Sequence, residues 1–283
     1  MYRRLQEEKP FARDPATLVI RGAEAFDFPA AGLPDLPAGS PDGESGGHAV
    51  LFLHGWTSTP REMRFLAEKT ASAGFRSQGI RFDGHGLTVR ALRNASFKDH
   101  LAQAEEAFGR LAMAHDRVSV CGLSMGGLIA LNLAARRRVA NLLLLAPFVK
   151  PAGTTFGLPN HWLAGRVPLS GLVGKDERGP INDPAGLAGH IAYHAMPAAG
   201  VAALAQAARD FRGLEKDVTC PVLILHSVRD RTSDFGGSLA LMGGLGADDK
   251  TLVAFNRSNH VITLDYDRPG VEARAVEWLS SRR

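Results

Sequence analysis

Ser124 lies in the stretch Gly122-Leu123-Ser124-Met125-Gly126, which has the pattern G-x-S-x-G. In this pattern the serine sits in a tight, strained turn between a strand and a helix, and its hydroxyl is presented as a nucleophile at the strand end. The stretch Gly43-Glu44-Ser45-Gly46-Gly47 matches as well, but it lies in a Pro- and Gly-rich segment and precedes a strand. Ser124 follows an apolar run and opens a helical pattern, so the context favours Ser124 and rejects Ser45.

A serine hydroxyl is a weak nucleophile at neutral pH until a histidine takes its proton. When a triad serves such a turn, the chain order is serine, acid, histidine, and the histidine lies in the last loop before the final helix. His260 occupies that loop, and Asp230 lies just beyond the apolar strand at residues 221–225. Asp234 is the alternative acid, although after Ser233 it suits a helix start equally well.

Ten histidines are available, and most are better explained as hydrogen-bonded structural groups. This interpretation covers four that lie before the candidate acid in the chain: His54, His100, His115 and His226. The predicted base is therefore His260.

The tetrahedral intermediate of acyl transfer needs preorganised donors for its oxyanion, usually two backbone N–H groups. The residue after the nucleophile supplies one of them, which is Met125 here. His54-Gly55-Trp56 follows the first apolar strand, so the N–H of Trp56 is predicted to supply the other. Taken alone, His54-Gly55 would be read as an ordinary turn at a strand end.

The elements that must position these residues alternate along the chain. Apolar runs typical of buried strands occupy residues 49–53, 75–82, 117–121, 139–146, 221–225 and 251–255. Helical patterns occupy residues 60–73, 98–114, 125–137, 272–280 and a stretch that begins near residue 234. This alternation predicts an α/β fold with a mainly parallel central sheet and helices on both faces.

Two segments fall outside this alternation. Residues 1–47 are predicted to hold a short strand pair, 17–21 with 25–28, and a Pro- and Gly-rich loop. Residues 148–213 are too long for an ordinary connection and are predicted to form an inserted helical cap, or lid, over the site. Residues 48–147 and 214–283 would then form the core.

Composition narrows the range of functions. The 283 residues are 45% hydrophobic, and 33 basic against 29 acidic side chains give a net charge of +4 with no long basic stretch, so no nucleic-acid partner is expected. The longest apolar run, residues 142–149, has 8 residues, whereas a bilayer span needs about 20. Charged residues stand where a signal peptide would be apolar, so we predict a cytoplasmic protein without integral membrane association.

These motifs resemble the carboxylesterase and monoacylglycerol lipase-like branch of the bacterial α/β hydrolases. The residues that carry the resemblance are Leu53-His54-Gly55-Trp56, Gly84-His85-Gly86, Gly122-Leu123-Ser124-Met125-Gly126, Asp230 and Ser258-Asn259-His260-Val261-Ile262-Thr263. The resemblance runs from about residue 49 to the C-terminus and is weakest in the cap. It implies a cofactor-free serine esterase, monomeric or homodimeric, with Ser124, Asp230 and His260 as its triad.

The expected substrate is a short-to-medium-chain acyl ester or a monoacylglycerol. Side chains of the insertion that could line its pocket, or form the core of the cap, include Phe148, Trp162, Tyr193 and Met196. The same triad could serve a thioesterase or an acyltransferase, and the fold could be a non-catalytic binding module. His190 and His194 are four residues apart, but no third ligand is spaced to complete a metal site, so no metal is predicted.

Overall fold

The computed structural model describes residues 11–32, 47–152, 171–175 and 178–283. Its strands are β1 (Phe26–Phe28), β2 (His48–Leu53), β3 (Arg76–Gly79), β4 (Arg117–Leu123), β5 (Leu142–Leu145), β6 (Leu172–Gly174), β7 (Ala195–Pro197), β8 (Val222–Ser227) and β9 (Lys250–Phe255). Its α-helices are α1 (Arg61–Ser72), α2 (Val89–Arg93), α3 (Phe97–Ala114), α4 (Met125–Ala134), α5 (Pro184–Gly189), α6 (Ala198–Asp210), α7 (Phe235–Gly244) and α8 (Arg268–Ser280). A 3-10 turn covers Glu215–Asp217.

Seven strands form one sheet in the order β1-β3-β2-β4-β5-β8-β9. All neighbouring pairs are parallel except β1 with β3. The register pairs Leu53 with Gly122 and Ser227 with Phe255, so neighbouring strands end together at one edge of the sheet. The predicted α/β fold with a mainly parallel sheet is confirmed.

The central strands are buried on both faces because their side chains alternate between two hydrophobic clusters. In β2, Leu51 and Leu53 pack into the cluster that also holds α3 and α4, whereas Val50 and Phe52 pack into the cluster with α1 and α8. The Leu142–Leu145 strand divides in the same way. A continuous apolar run therefore supplies both faces of the core.

The strand pair predicted near the N-terminus does not form. Phe26–Phe28 pairs with β3, and Ile20 makes only an isolated bridge to Arg13. The carboxylate of Asp14 accepts hydrogen bonds from the N–H and hydroxyl of Thr17, at 2.8 and 2.9 Å, which closes a turn where the strand was predicted.

The described part of the insertion contains a small antiparallel β6-β7 pair in addition to helices. Its helix α6 contributes Leu204 and Ala208 to the same cluster as Phe108 of α3. At the start of α6, the ring of Trp56 lies where a side chain on Gly200 would stand. The insertion is thus packed against the core and against the predicted oxyanion turn.

Candidate active site

Ser124 lies in the turn between β4 and α4, with φ 55° and ψ −115°. A positive φ is uncommon for a residue that has a side chain, and the surrounding structure must support it. Two glycines make the turn possible: a Cβ on Gly122 would overlap the carbonyl of Gly126, and a Cβ on Gly126 would overlap the carbonyl of Leu53. Ser124 therefore has the strained strand-to-helix geometry of a nucleophile turn.

Asp230 and His260 follow β8 and β9, and they are in contact. His260 Nδ1 lies 2.7 Å from Asp230 Oδ2. Because an ionised carboxylate only accepts hydrogen bonds, Nδ1 carries the hydrogen, and Nε2 of the neutral ring is left as the basic nitrogen. The other carboxylate oxygen, Oδ1, accepts the N–H groups of Thr232 at 2.7 Å and Ser233 at 2.9 Å.

The Asp230 side chain has no exposure to solvent. Burial alone would raise the pKa of Asp230, but the charge of His260 and the hydrogen bonds from His226 and His260 outweigh burial and lower the pKa below its usual value. Asp230 is therefore held as an anion that can orient an imidazole and stabilise its protonated form.

His226, to which the sequence analysis assigned only a structural role, is a partner of Asp230. Its Nε2 lies 2.9 Å from Asp230 Oδ2, and its Nδ1 lies 2.8 Å from the hydroxyl of Ser238. The signal was present in the sequence, since His226 lies near the end of β8 and four residues before Asp230. The order serine, acid, histidine includes only one histidine, so it did not indicate His226 as a second partner of Asp230.

Asp234, the alternative acid, caps a helix. Its carboxylate accepts the N–H of Gly236 at 2.8 Å at the start of α7, and it forms a salt bridge of 2.7 Å with Lys150. The contact with His260 is made by Asp230.

The turn after β2 lies beside the nucleophile, since a Cβ on Gly55 would come within 3.3 Å of the Ser124 Cβ. The N–H of Phe82 donates to His54 Nε2 at 3.2 Å, so the Nδ1 of this ring carries the hydrogen and donates to the Gly55 carbonyl at 2.9 Å. In a trans peptide the carbonyl and the next N–H point in opposite directions. Anchoring the Gly55 carbonyl thus fixes the direction of the Trp56 N–H.

Met125 is the first residue of α4, where a backbone N–H has no acceptor within the helix. Its N–H is thereby available at the positive end of the helix dipole, directly after the serine. Met125 follows Ser124 directly, and Gly55, whose carbonyl belongs to the same peptide as the Trp56 N–H, lies beside Ser124. That the two N–H groups form an oxyanion site stays a prediction.

The residues predicted to line the substrate pocket have different surroundings. Phe148 is buried, and its N–H donates to the Ser124 carbonyl at 3.1 Å, which places it next to the nucleophile. The Tyr193 hydroxyl donates to the Gly84 carbonyl at 2.7 Å and accepts the Leu87 N–H at 2.8 Å.

Met196 is buried in β7. Trp162 and the second G-x-S-x-G serine, Ser45, lie outside the described residues.

The histidines considered as metal ligands have other surroundings. His190 Nε2 lies 2.9 Å from the Ser58 hydroxyl and 3.5 Å from a carboxylate oxygen of Glu62. Across the described ranges, no group of three or more His, Cys, Asp or Glu side chains could hold a metal ion. None of the helices in those ranges combines the length and apolar character that a membrane span requires.

Comparison with known proteins shows the family to which the chain belongs. A family model described as "Serine aminopeptidase, S33" matches residues 46–267. A thermostable monoacylglycerol lipase of Bacillus sp. (strain H-257) is 30% identical over 239 residues, which is 84% of this chain and 92% of the lipase. A carboxylesterase of Bacillus subtilis (strain 168) is 22% identical over 241 residues, covering 83% of this chain and 94% of the esterase.

Solved structures agree with this placement. One from work on the metagenome-derived lipolytic enzymes LipS and LipT has a TM-score of 0.76 and 25% identity, and covers 93% of this chain and 99% of that chain. A soluble variant of the Saccharomyces cerevisiae monoglyceride lipase matches in fold, with a TM-score of 0.74, 17% identity, and coverage of 97% and 99%. The predicted resemblance to lipases and esterases is confirmed, and the chain is an α/β hydrolase that belongs to the "Serine aminopeptidase, S33" family.

Proposed function

We propose that the protein is a serine carboxylester hydrolase that acts through an acyl-enzyme on short-to-medium-chain acyl esters or monoacylglycerols. The observation that carries this proposal is the 2.7 Å hydrogen bond between His260 and the buried Asp230, at the sheet edge where Ser124 occupies its strained turn. The names of two relatives that match most of the chain, a monoacylglycerol lipase and a carboxylesterase, support the ester as substrate.

In the first half-reaction, Ser124 Oγ attacks the ester carbonyl carbon while its proton passes to His260 Nε2. The carbonyl oxygen becomes an oxyanion, which the N–H groups of Trp56 and Met125 stabilise. The intermediate collapses, the bond to the alcohol breaks, and the alcohol leaves with the proton from His260. Asp230 keeps the imidazole in the tautomer that this transfer needs.

In the second half-reaction, water attacks the acyl-enzyme and gives a proton to His260. The second tetrahedral intermediate uses the same two donors and releases the carboxylic acid, while His260 returns the proton to Ser124. We propose no cofactor for this cycle, because His260 takes up and returns each proton that is transferred.

We further propose that the acyl chain lies against the insertion, with Phe148 beside the nucleophile. The contribution of Trp162, Tyr193 and Met196 to this wall is part of the same proposal, as is the division into a core and a cap at residues 148–213. A cytoplasmic location and a monomeric or homodimeric state are also proposed.

The test is hydrolysis of p-nitrophenyl acetate, butyrate, octanoate and laurate, with 1-monooctanoylglycerol as a second substrate class and leucine p-nitroanilide as an amide. Purified wild type is compared with Ser124→Ala. We expect ester hydrolysis by the wild type alone, with a maximum at short-to-medium chains. Cleavage of the amide without the esters, or equal ester hydrolysis by Ser124→Ala, would overturn the proposal.

A further inference from the structure

The turn that carries Trp56 is buried and strained. Thr57, the next residue, has φ 65° and is only 1% exposed. A positive φ is especially unfavourable for a β-branched residue, so it persists only where surrounding contacts hold it. The conformation of this turn therefore depends on what is packed against it.

The contacts come from residues 190–193, a distant segment of the insertion. Three hydrogen bonds join the two segments. The Tyr193 N–H donates to the Thr57 carbonyl (3.0 Å), Thr59 Oγ1 donates to the Ile191 carbonyl (3.2 Å), and a hydrogen bond of 2.9 Å joins the Ser58 hydroxyl and His190 Nε2. The insertion thus holds the turn through three hydrogen bonds.

A buried contact between a carboxylate and an imidazole lies next to these hydrogen bonds. Glu62 Oε1 accepts the N–H of Gly55 at 2.5 Å, and Glu62 Oε2 lies 3.5 Å from His190 Nε2. The side chains of Glu62 and His190 are only 1% and 5% exposed. Burial alone would raise the pKa of Glu62, but the nearby imidazole of His190 outweighs burial and lowers the pKa.

A carboxylate in such a place is costly unless its partners compensate for lost hydration, and removal of one partner leaves the other without compensation. Here the carboxylate holds the N–H of Gly55, and the carbonyl of Gly55 is held by His54 Nδ1 at 2.9 Å and Ser58 N–H at 3.3 Å. Both ends of Gly55 are therefore fixed, and the peptide that presents the Trp56 N–H has little freedom to rotate.

We propose that Glu62 and His190 are positioning residues, which aim the Trp56 N–H at the oxyanion through Gly55 and Ser58. The inference rests on the proposed function, because it assigns these residues to the same site. Neither side chain touches the substrate. Their loss should weaken binding of the tetrahedral intermediate and leave binding of the ground-state ester almost unchanged.

The test uses the full chain with Glu62→Gln, Glu62→Ala and His190→Ala, and a p-nitrophenyl ester that the wild type hydrolyses. For Glu62→Ala and His190→Ala we expect kcat and kcat/KM to fall together by about 10- to 100-fold, with KM within about twofold of wild type. The inhibition constant of phenylboronic acid, which forms a tetrahedral adduct with the serine, should rise by a similar factor. Glu62→Gln keeps an oxygen for the Gly55 N–H, so its loss should be smaller.

His48→Ala is the matched control. His48 is also a buried histidine with a hydroxyl partner, Ser119 at 2.7 Å. It is the first residue of β2, so it lies at the opposite end of the strands from Ser124. We expect this variant to be less stable to urea with kcat unchanged.

Two outcomes would overturn the inference. One is a loss of kcat in Glu62→Gln and His190→Ala no greater than in His48→Ala, and the other is a lower kcat with unchanged boronic acid inhibition. If Glu62→Ala does not fold, Glu62→Gln and His190→Ala decide the matter. An inactive wild type overturns the proposed function and this inference together, whereas an active wild type with unaffected variants overturns only the inference.

Discussion

His226 Nε2 lies 2.9 Å from Asp230 Oδ2, and neither side chain is exposed to solvent. The same oxygen accepts the hydrogen bond from His260, so one carboxylate oxygen lies between two imidazoles. An acid held from two sides keeps its position when the ring of His260 moves during proton transfer. We therefore expect His226 to help hold Asp230 in place for its hydrogen bond with His260.

Replacing His226 tests this support. We expect His226→Leu to lower kcat by about tenfold or more, because Asp230 loses one of its hydrogen bonds in a buried site and Ser238 loses its partner. His226→Gln retains an N–H donor and should lose less. Steady-state kinetics beside urea unfolding checks the prediction, and a His226→Leu variant with wild-type kcat would contradict it.

Asp230 and Asp234 form a matched pair for identifying the acid. Asp230→Asn should lower kcat by about 10³- to 10⁴-fold, because the amide favours the wrong tautomer of His260. Asp234→Asn should leave kcat unchanged, since Asn is an equally good helix cap and the partly exposed salt bridge with Lys150 contributes little. Kinetics on the two variants decides the assignment, and the reverse pattern would make Asp234 the acid.

The parts of the site that depend on chain order could be predicted from the sequence. Ser124, Asp230 and His260 each follow a strand, and parallel strands of similar length end at one edge, so their neighbourhood could be predicted before any contact was known. The second G-x-S-x-G match was rejected by context for the same reason.

Contacts between distant segments could not be predicted. Ser58 and His190 are 132 residues apart, and nothing in either local pattern indicates the other. His190 was considered only as a metal ligand, because helical spacing was the available clue. The prediction of a strand at residues 17–21 was wrong for a local reason. Thr17 donates two hydrogen bonds to the Asp14 carboxylate, and the resulting turn competes with strand pairing.

Two glycines in helices are expected to respond in opposite ways to an added methyl group. Gly126→Ala should abolish activity and destabilise the fold, because the Cβ would overlap the Leu53 carbonyl and push β2 away from α4. Gly109→Ala in α3 has no heavy atom within 4 Å of the new Cβ and should stabilise the protein by about 0.5–1 kcal/mol. Urea unfolding and the ester assay report both effects, and equal responses would contradict the packing argument.

The stability of the protein should fall as the pH is lowered from 7.5 to 5. Four buried histidines have pKa values below the ordinary 6.5, with burial as the main cause, and in His48 and His54 the pKa is about 4; the other two are His85 and His100. Below pH 6.5 these groups take up protons in the unfolded chain before they do so in the folded one. Unfolding is then favoured, so the free energy of unfolding decreases as pH falls.

For His54 alone, the free energy of unfolding at pH 5 is expected to be about 2 kcal/mol lower than at pH 7.5. The pKa values of Asp230 and Glu62 are also lowered, but the stability from these carboxylates is present above about pH 4 and is lost only at lower pH, so the histidines govern the range from 7.5 to 5. Urea titrations at pH 7.5, 6 and 5 measure the slope, and unfolding at pH 5 should be accompanied by proton uptake. A free energy of unfolding that stays constant across this range would mean that the buried rings are protonated as readily in the folded protein as in the unfolded chain.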